Sequence, residues 1–227
     1  MNFSFVIVTS GQAPDLVDRV IDSIVAERIP KYQIVVLGGD DPHRKRVTFV
    51  PFDESQKKAH ITKKKNIGTE YAKYDNIVYL HDYISLLPGW YEGMKRFGDD
   101  WYVCMTKVLN VDGTRYRDWV VDPTVDTSAQ IGENAGRNRL LPYSAALSSI
   151  QYISGAYWIA KKGVMTEFPL NEDLVWGEGE DIEWSQRVRE KYPFSLNDGS
   201  AVSLLRPKFK SFEMLSDWEC ARLEEAE

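Results

Sequence analysis

The first hundred residues alternate short apolar runs with amphipathic stretches at the spacing of βαβ units, which confines the chain to a mostly parallel sheet with helices on both faces. Phe3 to Val8 is apolar enough for a buried parallel strand and stops at Thr9-Ser10-Gly11. Pro14 and Asp15 open a helix in which Leu16, Val20 and Ile24 recur at i, i+4 and i+8, with Val17 and Ile21 beside them. Gln33 to Leu37 is a second strand, ended by Gly38-Gly39-Asp40-Asp41-Pro42, and Val47 to Val50 a third. Residues 62–73 read as a helix with Lys63, Lys64 and Lys65 in its first turn. Asn76 to Leu80 is a fourth strand, Pro88-Gly89-Trp90 introduces a helix reaching about Phe97, and Trp101 to Thr106 is a fifth strand. The crossovers should be right-handed.

Beyond this point the rhythm breaks. Residues 107–150 show no clean period and are expected to form hairpins and loops over a sheet edge, a smaller antiparallel element. Tyr152 to Ile159 resumes strand character, 180–192 reads as a helix, and 194–205 holds a turn at Asn197-Asp198-Gly199 and a strand. The tail from Ser211 is acidic and helical in character. With no repeat, low-complexity tract or linker, a single domain of 1–227 is expected, divided at 106 and 210.

At 43% apolar and 27% charged residues the chain can bury an ordinary core. Cys104 and Cys220 form no CxxC pair, so a reduced, cytoplasmic setting is the default. A formal charge of −6 argues against a duplex nucleic-acid partner, which needs a basic face. No apolar stretch approaches the roughly 20 residues that span a bilayer, and the start of the chain reads as a strand rather than a signal peptide. His43, His60 and His81 have no HxxxH spacing, and neither a GxSxG elbow nor a GxxxxGK[ST] loop occurs. Zinc hydrolase, serine hydrolase and P-loop chemistries therefore fall away.

Two acidic motifs remain. His81-Asp82-Tyr83 leaves the carboxyl end of an apolar strand, where open α/β sheets bind ligands. There Asp82 is placed to hold Mg²⁺ or Mn²⁺ on phosphate oxygens, although the triplet alone fits equally with Asp82 capping a turn. Trp176-Gly177-Glu178-Gly179-Glu180-Asp181 crowds carboxylates at a helix start. The macrodipole favours one or two of them by about 0.3–1 kcal/mol each without explaining the flanking glycines. Helical spacing puts Asp181 on the face of Trp184 and Val188, and puts Glu183 four residues before Arg187 as a surface ion pair. Asp181 is thus the better general-base candidate, with Glu180 as its partner on the acceptor side; repulsion and partial burial raise the pKa of one of them. Lys63, Lys64, Lys65 and Asn66 at a helix start suit a phosphate, as does the alternation Arg206, Lys208, Lys210, though a solvated basic face is the commoner fate of either. Most of the seven tryptophans belong to the core; Trp176, beside the acids, is the one placed to stack on a sugar.

At these residues the chain resembles the family-two glycosyltransferases of the GT-A fold, over most of positions 3–192. The strand ending in Thr9-Ser10 resembles the one that meets the nucleobase, and Gly38-Gly39-Asp40 the acidic turn that contacts base or ribose. Lys65-Asn66-Ile67-Gly68 resembles an Arg-Asn-x-Gly stretch. His81-Asp82-Tyr83, followed by Pro88-Gly89-Trp90, sits where the family carries Asp-x-Asp. Ser154-Gly155-Ala156 resembles the small-residue segment of the acceptor side, and Gly179-Glu180-Asp181 the Gly-Glu-Asp motif whose Asp is the base. The departure is at the metal motif, where His81 and Tyr83 replace the two acids; the resemblance then leaves either Asp82 to hold the ion with His81 assisting, or the lysines to neutralise the diphosphate without one.

The resemblance implies an α/β, Rossmann-like GT-A fold with a nucleotide-binding half (1–106) and an acceptor-side half (107–210). It implies inverting transfer of a sugar from a nucleoside diphosphate, UDP favoured, to a glycan or other hydroxyl acceptor. Thr9, Ser10, Asp40, Lys63, Lys64, Asn66, His81 and Asp82 would take the donor; Gly155, Trp176 and Glu178 the acceptor; Asp181 and Glu180 the chemistry. A nucleotidyltransferase is opposed by the absence of a basic residue in Thr9 to Pro14. A non-catalytic nucleotide-sugar or glycan-binding module is favoured by the replaced acids and opposed by the intact cluster at 178–183.

Overall fold

The computed structural model describes residues 1–55, 57–131, 139–143, 147–208 and 212–226. Strand β1 (Phe3–Val8) is buried at every position. Helix α1 (Pro14–Ala26) buries Val17, Val20, Ile21 and Ile24, a stripe at i, i+3, i+4 and i+7, leaving Leu16 at its margin. There follow β2 (Tyr32–Leu37), β3 (Val47–Val50), α2 (Ile61–Tyr71), β4 (Asn76–His81), β5 (Ile84–Leu86), α3 (Trp90–Phe97) and β6 (Val103–Leu109). The second half holds β7 (Trp119–Val121), α4 (Ser128–Ile131), β8 (Arg139–Leu140), β9 (Gln151–Ile153), β10 (Tyr157–Lys161), α5 (Lys162–Glu167), α6 (Glu180–Arg189), β11 (Phe194–Leu204), β12 (Glu213–Met214) and α7 (Asp217–Glu224).

The main sheet runs β3-β2-β1-β4-β10-β6-β11-β5. Its first four strands are parallel, and Val8 is level with both Leu37 and His81, so β1, β2 and β4 end on one line. The strand order reverses between β1 and β4, and such a switch point opens a crevice at the carboxyl ends. Strand residues alternate between faces, and β1 shows both being covered. Phe3 and Phe5 pack on Trp90 of α3, whereas Val6 lies under Gly68 of α2. A smaller sheet, β12-β8-β7-β9, carries the antiparallel pairs β7–β8 and β7–β9.

Two expected elements are rearranged. The run Tyr152 to Ile159 divides at Ser154-Gly155-Ala156, where the Tyr157 amide bonds the Ser154 carbonyl in a turn. This puts β9 in the small sheet and β10 antiparallel between β4 and β6 in the large one. Asn197-Asp198-Gly199 is not a turn between strands but an irregularity inside β11, whose register shifts between Asn197 and Ala201. There Gly199 lies against Gly93 of α3, and Ser200 donates to the Trp90 carbonyl at 2.8 Å. The core is aromatic at its centre: Tyr79 stacks on Trp158 at 4.6 Å, and Trp184 lies 5.8 Å beyond.

Candidate active site

The switch point is closed by its own hydrogen bonds. The Asp82 amide bonds the Val8 carbonyl at 3.2 Å, and the Thr9 hydroxyl donates to Asp82 Oδ2 at 2.7 Å. Gly11 and Gly39 meet so closely that a Cβ on Gly11 would stand 2.8 Å from Gly39 Cα, which draws the turns after β1 and β2 together. Before them opens a cavity of about 240 Å³, lined among others by Thr9, Ser10, Lys64, Asp82, Arg206 and Lys208.

A second cavity of about 550 Å³ adjoins it, and the two share His81, Tyr83, Trp176 and Lys208. Its far wall is Gly155, Glu180 and Asp181, with Arg117 and Tyr116 beside them. Asp82 and Asp181 therefore line adjoining halves of one crevice. Asp181 Oδ2 accepts the Gly155 amide at 2.8 Å and lies 3.5 Å from Arg117, which is itself held by the Tyr152 hydroxyl at 2.7 Å. Glu180 is buried at the first position of α6, and Gly155 fits between the two acids. Trp176 is 58% exposed at the mouth, an apolar plate facing both cavities.

The lysines of α2 separate into different tasks. Lys64 is buried, donates to the Thr9 carbonyl at 2.8 Å and is neutralised by Glu54. Lys65 is buried, donates to the Gly155 carbonyl at 2.6 Å and lies 4.4 Å over the Trp158 ring. Burial pushes its ammonium down to about 8, against the pull of Glu180 and Asp181. Burial raises the Glu180 carboxyl, Asp181 raises it further, and Lys65 opposes both. Burial also drives His81 well below the ordinary histidine range, with Lys65, Lys208, Lys64 and Arg206 adding to the effect.

Other expected contacts are not brought into the crevice. Asn66 is spent on the loop after α5: its amide donates to the Leu170 carbonyl at 2.9 Å and its oxygen accepts the Leu170 amide at 3.0 Å. Lys63 is half-buried, Asp40 is exposed on the turn after β2, and neither lines either cavity. Glu178 is exposed and its carboxylate accepts the Val175 amide at 2.9 Å, bracing the loop that presents Trp176. Lys210 lies outside the described residues.

The donor set at His81-Asp82 bears on the expectation of Mn²⁺ or Mg²⁺. His81 Nε2 is buried without a partner, and Asp82 offers one carboxylate already engaged by Thr9. Among the described residues no group of three or more His, Cys, Asp or Glu side chains stands together as a cation site. The imidazole also sits in the field of four cationic side chains. The described residues thus offer a divalent ion a single carboxylate beside a largely cationic wall, too few ligands to hold one without oxygens from the substrate.

Sequence reasoning assigned no role to Arg117, Tyr116 or Tyr83, or to Lys65 individually. Arg117 lies in the aperiodic stretch before β7 and reaches the crevice only because β7 pairs with β9. No local signal marks it. The alternation of Arg206 and Lys208 was readable as suited to a phosphate, but its seat on Tyr83 was not.

No protein-family model and no curated protein matches the chain. Solved structures do. GalNAc-T7 with UDP, GalNAc and Mn²⁺ aligns with a TM-score of 0.63 at 14% identity, over 91% of this chain and 43% of that one. TarS of S. aureus, residues 1–349 in complex with UDP-GlcNAc, aligns with a TM-score of 0.61 at 12% identity, over 92% of this chain and 60% of that one. The same TarS fragment in another structure gives 0.60 at 11% identity. This chain thus spans about half the length of the proteins it resembles. At these identities the likeness speaks for architecture, and the architecture of the chain is the GT-A fold.

Proposed function

We propose that this protein is a glycosyltransferase that moves a sugar from a nucleoside diphosphate, UDP favoured, to a hydroxyl acceptor with inversion. One observation carries the reading: Asp82 and Asp181 line adjoining cavities that meet along His81, Tyr83, Trp176 and Lys208. A single displacement needs this layout, with the leaving group on one side of the anomeric carbon and the base on the other. The half formed by 1–106 takes the donor, with Thr9 and Ser10 at the nucleotide; the half formed by 107–210 takes the acceptor, with Trp176 stacked on a sugar ring.

Asp181 removes the acceptor proton as the acceptor oxygen bonds the anomeric carbon. The bond from that carbon to the phosphate oxygen breaks and its electron pair leaves with the diphosphate. The Gly155 amide and Arg117 fix the orientation of the Asp181 carboxylate, as an orienting group does for a base. No helix among the described residues is long and apolar enough to cross a membrane. The two buried free cysteines suit a reducing, cytoplasmic setting.

The test is Asp181→Asn. Turnover should fall by about 10²–10⁴-fold, the usual contribution of a general base, while donor affinity persists. Near-normal turnover rejects the assignment. A thermal-shift panel of nucleotide sugars identifies the donor, since a ligand at 100 times its Kd stabilises by about 2.7 kcal/mol.

A further inference from the structure

We propose that Arg206 and Lys208, mounted on Tyr83, are the counter-charge for the donor diphosphate and relieve the protein of a divalent ion. The inference rests on the transferase reading. Breaking the anomeric bond leaves one more negative charge on the diphosphate, and a fold of this kind must meet it with cations.

The placement follows from strand pairing. Leu204 pairs with Ile84 across β11 and β5, and the Leu205 amide extends that pairing to the Tyr83 carbonyl at 2.8 Å. The next residues therefore run alongside the ring. Arg206 and Lys208 flank Pro207 just beyond a bend at Leu205 and Arg206, and both side chains reach the same ring. The Arg206 guanidinium is 4.6 Å and the Lys208 ammonium 4.0 Å from the Tyr83 ring centre, and Lys208 donates to the Tyr83 hydroxyl at 2.6 Å. Both line the donor cavity, and Lys208 also lines the acceptor cavity, at the seam where the bond breaks.

Tyr83 explains the exchange. A carboxylate at this position would neutralise both cations. An aromatic face holds a cation by about 0.5–2 kcal/mol without itself supplying a formal negative charge. Lys64, which also lines the donor cavity, is paired with Glu54.

The experiment is calorimetric titration of the full chain with UDP, the other common nucleoside diphosphates and uridine, in EDTA and in Mn²⁺. UDP should bind in EDTA within about twofold of its affinity in Mn²⁺. Arg206→Met and Lys208→Met should each weaken UDP by about tenfold, an effect that shrinks with salt, and leave uridine unchanged. Arg206 is exposed, so its variant should keep the parent's thermal unfolding and separates lost charge from lost fold. UDP binding that appears only with Mn²⁺, or variants that bind UDP like the parent, overturn the proposal and leave the transferase reading standing. Failure of every nucleoside diphosphate to bind in either buffer overturns both.

Discussion

Lys65 and Gly155 form the contact on which the two acids rest. A buried ammonium that titrates at about 8 instead of 10.5 gives stability and activity opposite pH dependences. Below about pH 8 Lys65 is charged in both folded and unfolded chains, and the cost of burying that charge is fully present. Between about 8 and 10.5 the unfolded chain holds the proton and the folded one has lost it, so this residue's contribution to stability rises with pH. Over the same range Glu180 and Asp181 lose their counter-charge. We expect kcat/KM to decline above about pH 8 in the parent and the decline to move to higher pH in Lys65→Arg, read from pH–rate profiles. In Gly155→Ala the added Cβ would stand 3.1 Å from Glu180 Oε1 and 3.3 Å from Asp181 Oδ2. Turnover should fall by about 10²-fold with little change in melting temperature, because small displacements of reacting groups are costly in rate. The acids were singled out by residue type and place, although a capped turn accounts for Asp82 and the macrodipole for one or two at the helix start. Lys65 was not separable from its neighbours, because which of three adjacent lysines turns inward depends on what α2 packs against.

Helix α2 delivers both buried lysines, and its seat on β1 sets their positions. A Cβ on Gly68 would lie 2.3 Å from Val6 Cγ1, whereas one on Gly163, in α5, would meet nothing within 4 Å. Gly68→Ala should destabilise by about 1–3 kcal/mol through overpacking and also weaken donor binding. Gly163→Ala should be neutral or stabilising by up to about 1 kcal/mol, both by urea denaturation. Elements of the first half were readable because central strands are largely apolar runs and α1 carries a 3.6-residue apolar stripe, whereas the buried face of α2 is mostly polar. The division at Ser154 to Ala156 was not, since β9 and β10 are both apolar and differ only in the sheet they join. Strands of two or three residues, such as β7, β8 and β12, are too short to show a period.

At the scale of the molecule, a mostly parallel sheet covered on both faces was implied by the alternating units, but the reversal between β1 and β4 and the insertion of β10 between β4 and β6 were not. Strand order depends on long-range pairing that no local pattern encodes. A nucleotide donor held at the reversal should protect the whole sheet, so Asp181→Asn should show the parent's ligand-induced rise in melting temperature despite its lost turnover. Because β10 runs against β4, the beginning of one abuts the finish of the other: Tyr157 faces Leu80, and the His81 amide bonds the Ala156 carbonyl at 3.0 Å. The gap between Asp82 and Asp181 is consequently gauged by a ladder of backbone rungs. A slip of one rung would carry Gly155, and with it the grip on Asp181, about 3.3 Å along the strand, and would turn every β10 side chain to the opposite side. Such an error unmakes the core before it misaligns the chemistry, so any copy that folds at all is already calibrated.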